Sequence, residues 1–286
     1  ATYPLKDDGL VNEVPKNMEV YTTHTSELFG VYQKTSGRNE VPFSGFANES
    51  DKPGPRQRLA RFIRGNFFIP DPRRGWNGHS IKKALELISE KGIKYIITTS
   101  PPHSTQLIGL AIKRKKPEIK WLADFRDPWT DIYYYDKFYP TKIARKYDKY
   151  LERSVLKKSD CVSTVSNGFK RLFVPKAERL TDKIKVLPNG FDLNDFKENR
   201  NSKNTHFTIS YVGTITSDYK IDVFLEVVEK LSKKHPSLRL VFVGRRDELL
   251  EIKLKSLPFV ELINSVSHKE AITFMFNSDV LLLAIP

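Results

Sequence analysis

The sequence predicts an α/β fold built from two doubly wound halves. Three observations carry that expectation. First, residues 93–99 are a short β-branched and aromatic run, 105–114 an apolar helical stretch, and 119–123 a second strand. Strand, helix and strand at this spacing form a βαβ unit, so the two strands are expected to be parallel neighbours. Second, the same alternation returns after residue 205 and continues to the end of the sequence. Third, the two loops with the most chemistry, residues 100–104 and 124–129, fall where those two strands end. In an open parallel sheet ligands sit beyond the carboxyl ends of the strands, so a site is expected there.

In chain order, residues 1–16 show no period and read as loop, 18–22 predict a short strand, and 26–33 a short helix. Residues 35–57, rich in Gly, Ser, Asn and Pro, read as a long loop. A helix is expected over 58–67, ending before Ile69-Pro70. Ser80 is the expected N-cap of a helix running to Lys91, with Gly92 as its stop. After Trp129 an aromatic loop, 131–140, leads to Thr141, expected to cap a helix that reaches Lys158. On that helix Ile143, Tyr147, Tyr150, Leu151 and Leu156 are expected to share the apolar face, with Lys and Arg on the other.

A strand at 160–165, a short helix at 167–173 and a strand at 183–187 follow, closed by the turn Pro188-Asn189-Gly190. The polar, patternless residues 198–205 mark a linker between a first domain, 1–197, and a second, 206–286. In the second, strands at 207–212, 238–243, 259–263 and 280–284 alternate with helices at 221–233, 247–255 and 269–276. The first half shows no opening strand with a Gly-rich turn, and the second stops on a strand with no helix behind it. The chain is therefore expected to be incomplete at both ends.

Size and composition narrow the function classes. A chain of 286 residues is long enough for two cores, and 39% hydrophobic with 29% charged residues is a globular composition. The sequence holds no apolar run near the ~18 residues of a membrane span, and no secretory h-region at its N-terminus. Lone Cys161 excludes an internal disulfide, and one Cys with six scattered His shows no ligand spacing, so no metal is expected. The net charge of +14 is uneven: residues 51–180 hold 29 Lys+Arg against 13 Asp+Glu, a net +16, and the remainder is near neutral. Such a segment either meets phosphates, on lipid headgroups or nucleic acid, or is a solvated basic surface. No RRM or KH signature accompanies it, and no nucleic acid is expected as a partner.

Several segments together carry a resemblance: Val186-Leu187-Pro188-Asn189-Gly190-Phe191-Asp192, Ser210-Tyr211-Val212-Gly213, Lys220, Leu240-Val241-Phe242-Val243-Gly244 and Asn277-Ser278-Asp279-Val280. With the loops at 100–104 and 121–129, they are similar to the retaining glycosyltransferases of family 4, in a bacterial envelope-polysaccharide branch, from about residue 93 to the end. The resemblance implies the GT-B architecture, two Rossmann-like domains facing a cleft. It implies transfer of a sugar, with retention, from a nucleotide-diphosphate donor to a glycan or lipid-linked acceptor, with no metal and no cofactor. The first domain would hold the acceptor and the second the nucleotide sugar. The expected setting is the cytoplasm; the basic segment, with its aromatic loop at 131–140 and the Lys/Arg-rich helix at 141–158, is expected to place the protein peripherally on an anionic inner membrane face. Two rival readings remain: a non-catalytic sugar-nucleotide or polysaccharide-binding protein of degenerate GT-B fold, and a GT-B nucleotide-sugar 2-epimerase, which needs no acceptor.

Without a metal, protein groups must stabilise the leaving diphosphate. Gly213 and Gly244 follow strands, leave room for a phosphate and precede helices whose N-termini attract anions; the plainer reading is two turn glycines. In the family an Arg just after the first glycine and a Lys beyond it grip the phosphates. Lys220 matches the Lys, Thr214 stands where the Arg would be, and Arg245 and Arg246 are candidates to replace it. The family's two sugar-holding glutamates would lie beyond Pro286.

In the first domain Asp127 is the candidate catalytic residue, contacting acceptor or donor sugar, with Ser100, His103, Asp124 and Arg126 on the acceptor side of the cleft. The structural alternative is a cluster in which Arg126 satisfies both Asp124 and Asp127. His103 stands at a helix N-terminus, where the dipole disfavours its protonation; it either serves the cleft or faces water. Cys161 reads as a small buried residue.

Overall fold

Local runs become elements only where pairing partners and caps allow, and here those decide several boundaries. The computed structural model describes residues 14–26, 54–177, 181–196 and 206–284. The chain separates into two compact units, one with the described residues from Glu19 to Gly190, the other with 14–18 and those from Phe191 onward.

In the first unit, α1 (Pro55–Phe67) starts three residues earlier than expected, because Pro55 is preset for the first helical turn. Helix α2 (Asn77–Lys91) also starts early. Ser80 lies buried inside it, its hydroxyl 3.3 Å from that of Thr23, and caps nothing. Gly92 ends α2 in the left-handed conformation, φ 63°. Four parallel strands, β1 (Tyr95–Ser100), β2 (Lys120–Phe125), β3 (Cys161–Thr164) and β4 (Ile184–Val186), pair in that order. The helices between them are α3 (Ser104–Lys115), α4 (Lys142–Lys158) and α5 (Asn167–Ala177). Residues 18–22 form no strand: Met18 and Val20 are exposed and no ladder partner adjoins them. The helix expected at 26–33 (Ser26 apart), residues 35–53 of the expected loop and the linker at 198–205 fall outside the described residues. Cys161 is half-buried.

Trp121, Phe125, Trp129, Leu156 and Phe173 fill the core of this unit. Ile88 of α2 packs against Ile108, Ile112 and Ile119 in a second cluster. A polar clamp sits among them. Gln106 of α3 is wholly buried; its side-chain oxygen accepts the Thr98 hydroxyl at 2.6 Å, and its amide donates to the Asp124 carbonyl at 2.8 Å and the Ser100 hydroxyl at 3.0 Å. Trp121 Nε1 donates to the same Thr98 hydroxyl at 2.8 Å. The clamp ties β1 to β2 at their carboxyl ends.

Helix α4 is turned differently from the expectation. Thr141 caps it as expected, accepting from the Ala144 amide. Its packed face, however, is Ala144, Asp148, Leu151, Glu152, Val155 and Leu156. Ile143, Tyr147 and Tyr150 point to solvent. The two acids face inward because partners distant in sequence satisfy them. Asp148 accepts from Trp129 Nε1 at 2.8 Å and the Tyr135 hydroxyl at 2.9 Å; Glu152 accepts from the Thr130 hydroxyl at 2.6 Å and Lys176 at 2.7 Å. Burial raises the pKa of Asp148 to about 6.

In the second unit β5 (Phe207–Val212), β6 (Leu238–Val243), β7 (Val260–Ile263) and β8 (Val280–Leu281) are all parallel, in the order β7-β6-β5-β8. The intervening helices are α6 (Asp222–Lys234), α7 (Glu248–Lys255) and α8 (His268–Phe276), the last entered through a capping box at Ser267 and Glu270. The chain steps outward from β5 to β7 and then crosses to the other side of β5, so the strand order reverses at β5. Asp279 fixes that return: its amide donates to the Thr208 carbonyl and its carboxylate accepts the Thr208 amide, both at 2.9 Å. Strand β8 is shorter than the expected 280–284 and pairs only with Ile209 and Ser210.

A methyl group on Gly109 of α3 would overlap the indole of Trp121. Gly109→Ala is therefore expected to lower unfolding free energy by about 1–3 kcal/mol, the usual cost of overpacking. Urea titration checks it; an unchanged midpoint would show that the indole can retreat freely.

Candidate functional site

At the edge of the first sheet, the residues singled out from sequence separate into supports and available groups. Ser100 is wholly buried, hydrogen-bonded to Gln106 and to the Asp124 carbonyl. Asp124 lies within β2, buried, and its carboxylate accepts from the Ser163 hydroxyl at 2.6 Å and Arg126 Nε at 2.9 Å. The exposed Arg126 also reaches the side-chain oxygen of Asn189, so the Pro-Asn-Gly turn is tied to β2. Arg126 thus pairs with one carboxylate, Asp124, and the reading in which it satisfies two is corrected. Its guanidinium is spent on Asp124 and Asn189.

Asp127 is half-buried, and burial pushes its pKa up. Tyr134 stands close enough for the Asp127 charge to add to burial in raising the phenol to about 12. His103 is half-buried, its ring parallel to Trp129 at 5.2 Å between centroids and stacked on Phe125 at 6.4 Å. Burial pulls its pKa down to about 4, so it is a neutral imidazole near pH 7.

The N-terminus of α3, where a phosphate would be attracted, is already occupied from within the chain. The buried carboxylate of Asp71 accepts the Ser104 amide at 2.7 Å and the Ser104 hydroxyl at 2.8 Å, and also the Arg73 amide at 2.9 Å. Sequence reading missed Asp71 and Gln106. An Asp before Pro72 is a recognisable cap for its own turn, but nothing local says that it also caps a helix thirty residues on.

In the second unit the loops after β5 and β6 run side by side. Gly213 donates its amide to the Val243 carbonyl at 2.8 Å, and Ile215 to the Arg245 carbonyl at 3.0 Å. Both glycines have positive φ, 147° at Gly213 and 123° at Gly244. A side chain on Gly244 would collide with the backbone of Gly213. Gly244 is thus required by its neighbouring loop, whatever lies beyond it. Asp247 then fills the N-terminus of α7, accepting from the Leu250 amide at 2.8 Å and from the Ser217 amide and hydroxyl at 2.7 and 2.6 Å. The expectation that the helix after Gly244 offers an open anion site is corrected: an internal carboxylate already holds it.

Arg246 is likewise committed, donating to the carbonyls of Gly244 and Ile263, both at 2.7 Å. Arg245 is half-buried beside it. Thr214 is half-buried and its carbonyl accepts the Tyr211 hydroxyl at 2.9 Å. Lys220 is exposed two residues before α6, whose N-cap, Ile221, supplies no side-chain cap. Asp222 opens α6, paired with Lys253. In the loop from Gly213 to Lys220, where the strand order reverses, the amides of Gly213, Ile215, Ser217 and Tyr219 are donated within the chain, and Lys220 is its exposed cation. Among the described residues no group of His, Cys, Asp or Glu is arranged to hold a metal ion, and no helix is long and apolar enough to cross a membrane.

The packing of His103 is directly measurable. Its ring resonances are expected to titrate near pH 4 and to stay those of the neutral form above about pH 5; a midpoint near 6.5, the ordinary value, would mean that the ring is not stacked and desolvated.

Comparison with known proteins bears on this geometry. The profile of Glycosyltransferase Family 4 matches residues 38–195, and that of Glycosyl transferases group 1 matches residues 192–285. Among curated proteins nothing matches the chain. Solved structures share the fold. The sucrose-phosphate synthase of Thermosynechococcus elongatus superposes with a TM-score of 0.53 at 16% identity, over 73% of this chain and 55% of that one. HepE of Anabaena, in complex with UDP, gives 0.51 at 13% over 70% and 55%. A point mutant of S. aureus TarM, in complex with fondaparinux, alpha-GlcNAc-glycerol and UDP, gives 0.50 at 13% over 74% and 40%. The chain therefore spans about half the length of the structures it resembles, and its fold is an α/β fold of the GT-B kind. The first profile covers more than half of the chain, and on that ground the chain belongs to glycosyltransferase family 4.

Proposed function

We propose that this chain serves a retaining, metal-independent glycosyltransferase that moves a sugar from a nucleotide-diphosphate donor to a glycan or lipid-linked acceptor of the cell envelope. The observation that carries the reading is the loop from Gly213 to Lys220, placed at the strand-order reversal of the second sheet in a chain of family 4. Residues 206–286 take the donor. The diphosphate lies against the backbone of Gly213 and Thr214, with the ammonium of Lys220 and the guanidinium of Arg245 supplying positive charge that a metal would otherwise bring. Gly244 and Arg246 act by shaping that loop.

Residues 1–197 hold the acceptor. Asp127 is the catalytic group we assign: it is half-buried at the end of β2, burial raises its pKa, and it lies free of the Arg126 pair. Neutral His103 on its Trp129 platform offers a hydrogen bond to a hydroxyl-bearing ligand. Ser100, Asp124 and Arg126 keep the loops in place. The cytoplasm, at the inner face of the membrane, is the setting this reading implies.

Thr214 favours a second reading, a sugar-nucleotide-binding protein without turnover, because a hydroxyl cannot replace the charge of an arginine. Incubation of the intact, full-length protein with nucleoside-diphosphate sugars and glycan acceptors separates the two. Acceptor-dependent release of nucleotide diphosphate, with the product keeping the donor's anomeric configuration, supports transfer; binding without release supports the second reading. In calorimetry Lys220→Ala is expected to weaken nucleoside-diphosphate affinity by about 1.5–3 kcal/mol, the range for a charged hydrogen bond. Unchanged affinity would remove Lys220 from the site.

A further inference from the structure

Helices α6 and α7 of the second unit carry an outward surface that their own core does not use. Strands β5, β6 and β7 follow one another in one direction across the sheet, so right-handed crossovers place both helices on the same face, running parallel. Their inward side chains, Leu225 and Val228 of α6 and Leu250 and Leu254 of α7, are buried in one cluster. The ion pair between Asp222 and Lys253 joins the two helices at their exposed surface.

Next to that pair in the chain the helices turn apolar groups outward. Val223 and Val227 of α6 are 72% and 49% exposed, and Leu249 and Ile252 of α7 are 58% and 63% exposed. Valine and isoleucine are poorer helix formers than the straight-chain residues that suit solvent-facing positions, so helix formation does not account for them. Single exposed apolar residues are ordinary, but these stand together on two joined helices.

Charge is ordered along the same surface. The exposed acids Glu226 and Glu248 lie in the first halves of their helices, and the exposed Lys230 and Lys255 in the last halves. Helix dipoles favour that polarity, which explains the charges without explaining the valines. Because both helices point the same way, the surface also complements itself. A copy turned end for end sets base against acid at both ends and apolar against apolar between them.

We infer that this face pairs with the same face of a second copy of the chain. The two-fold axis lies in the interface and across the helices, so α6 runs antiparallel to its mate. Glu226 of each copy then stands opposite Lys230 of the other, on either side of the valines. The self-complementary order of charge is what selects a second copy over a different protein. The face is about 20 Å along α6 and two helices wide, at a spacing of about 10 Å. That is the small end of specific interfaces, so a reversible dimer with Kd on the order of micromolar is expected.

Pairing does not rest on the transfer reading, and failure of either leaves the other standing. Sedimentation velocity of the whole chain, from low to high micromolar concentration, tests it. The sedimentation coefficient is expected to rise from the monomer to the dimer value. Val223→Ser with Ile252→Ser keeps the charge and should weaken pairing roughly tenfold or more. Glu226→Lys alone and Lys230→Glu alone should each weaken it, since like charges then face each other. An equimolar mixture of those two variants should recover wild-type pairing, because each altered side chain meets the opposite charge in the mixed dimer. All of these positions are exposed, so the variants should melt at the wild-type temperature. A monomer at every concentration would overturn the inference, as would a dimer indifferent to the serine pair. So would a mixture that associates no better than its two components, since the antiparallel arrangement would then be wrong.

Discussion

A parallel ladder needs a crossover after every strand, and each crossover returns the chain to the edge it started from. All eight strands among the described residues pair this way, so every loop leaving a strand's carboxyl end in a given unit lies on one edge. Within each edge one further contact sets the spacing of the first two loops. In the first unit it is the amide of Gln106, which holds Thr98, Ser100 and the Asp124 carbonyl at fixed separations. In the second it is the approach of Gly244 to the backbone of Gly213, which admits no side chain.

Electrostatics then decides which helix ends remain open to a ligand. Three ends stand near the loops of interest, and carboxylates of the chain itself fill two of them, Asp71 at α3 and Asp247 at α7. Each satisfies amides that water or a phosphate would otherwise meet, and each also binds a second segment, Arg73 in one case and Ser217 in the other. Such double use makes them fold determinants. The loop before α6 is left without a side-chain cap, beside exposed Lys220, at the reversal of strand order.

Much of the fold is legible in the sequence because β-branched runs of four to six residues, separated by helical stretches and closed by glycine, have few other readings. The segments around Val212-Gly213 and Val243-Gly244 also point to the family directly. What fails is any inference in which a polar side chain finds its partner far along the chain. Periodicity counts apolar residues, and so it puts Ile143, Tyr147 and Tyr150 on the packed face of α4. Asp148 and Glu152 are buried instead, because Trp129, Tyr135, Thr130 and Lys176 receive them. The same blindness hides Gln106 and Asp71, and it credits Arg246 with a free guanidinium that the carbonyls of Gly244 and Ile263 in fact occupy.

The central claim is that nucleotide recognition belongs to the loop after β5, where the sheet reverses, with the loop after β6 contributing mainly support. Mapping of backbone amide resonances during titration with a nucleoside diphosphate tests it most directly. The account predicts that the amides of Gly213, Thr214 and their neighbours up to Lys220 move first and furthest, with Arg245 following, while the Gln106 side-chain amide and the Ser104 amide stay in place. Shifts confined to residues 54–190, or centred on the first turn of α7 with the 213–220 loop unmoved, would contradict it.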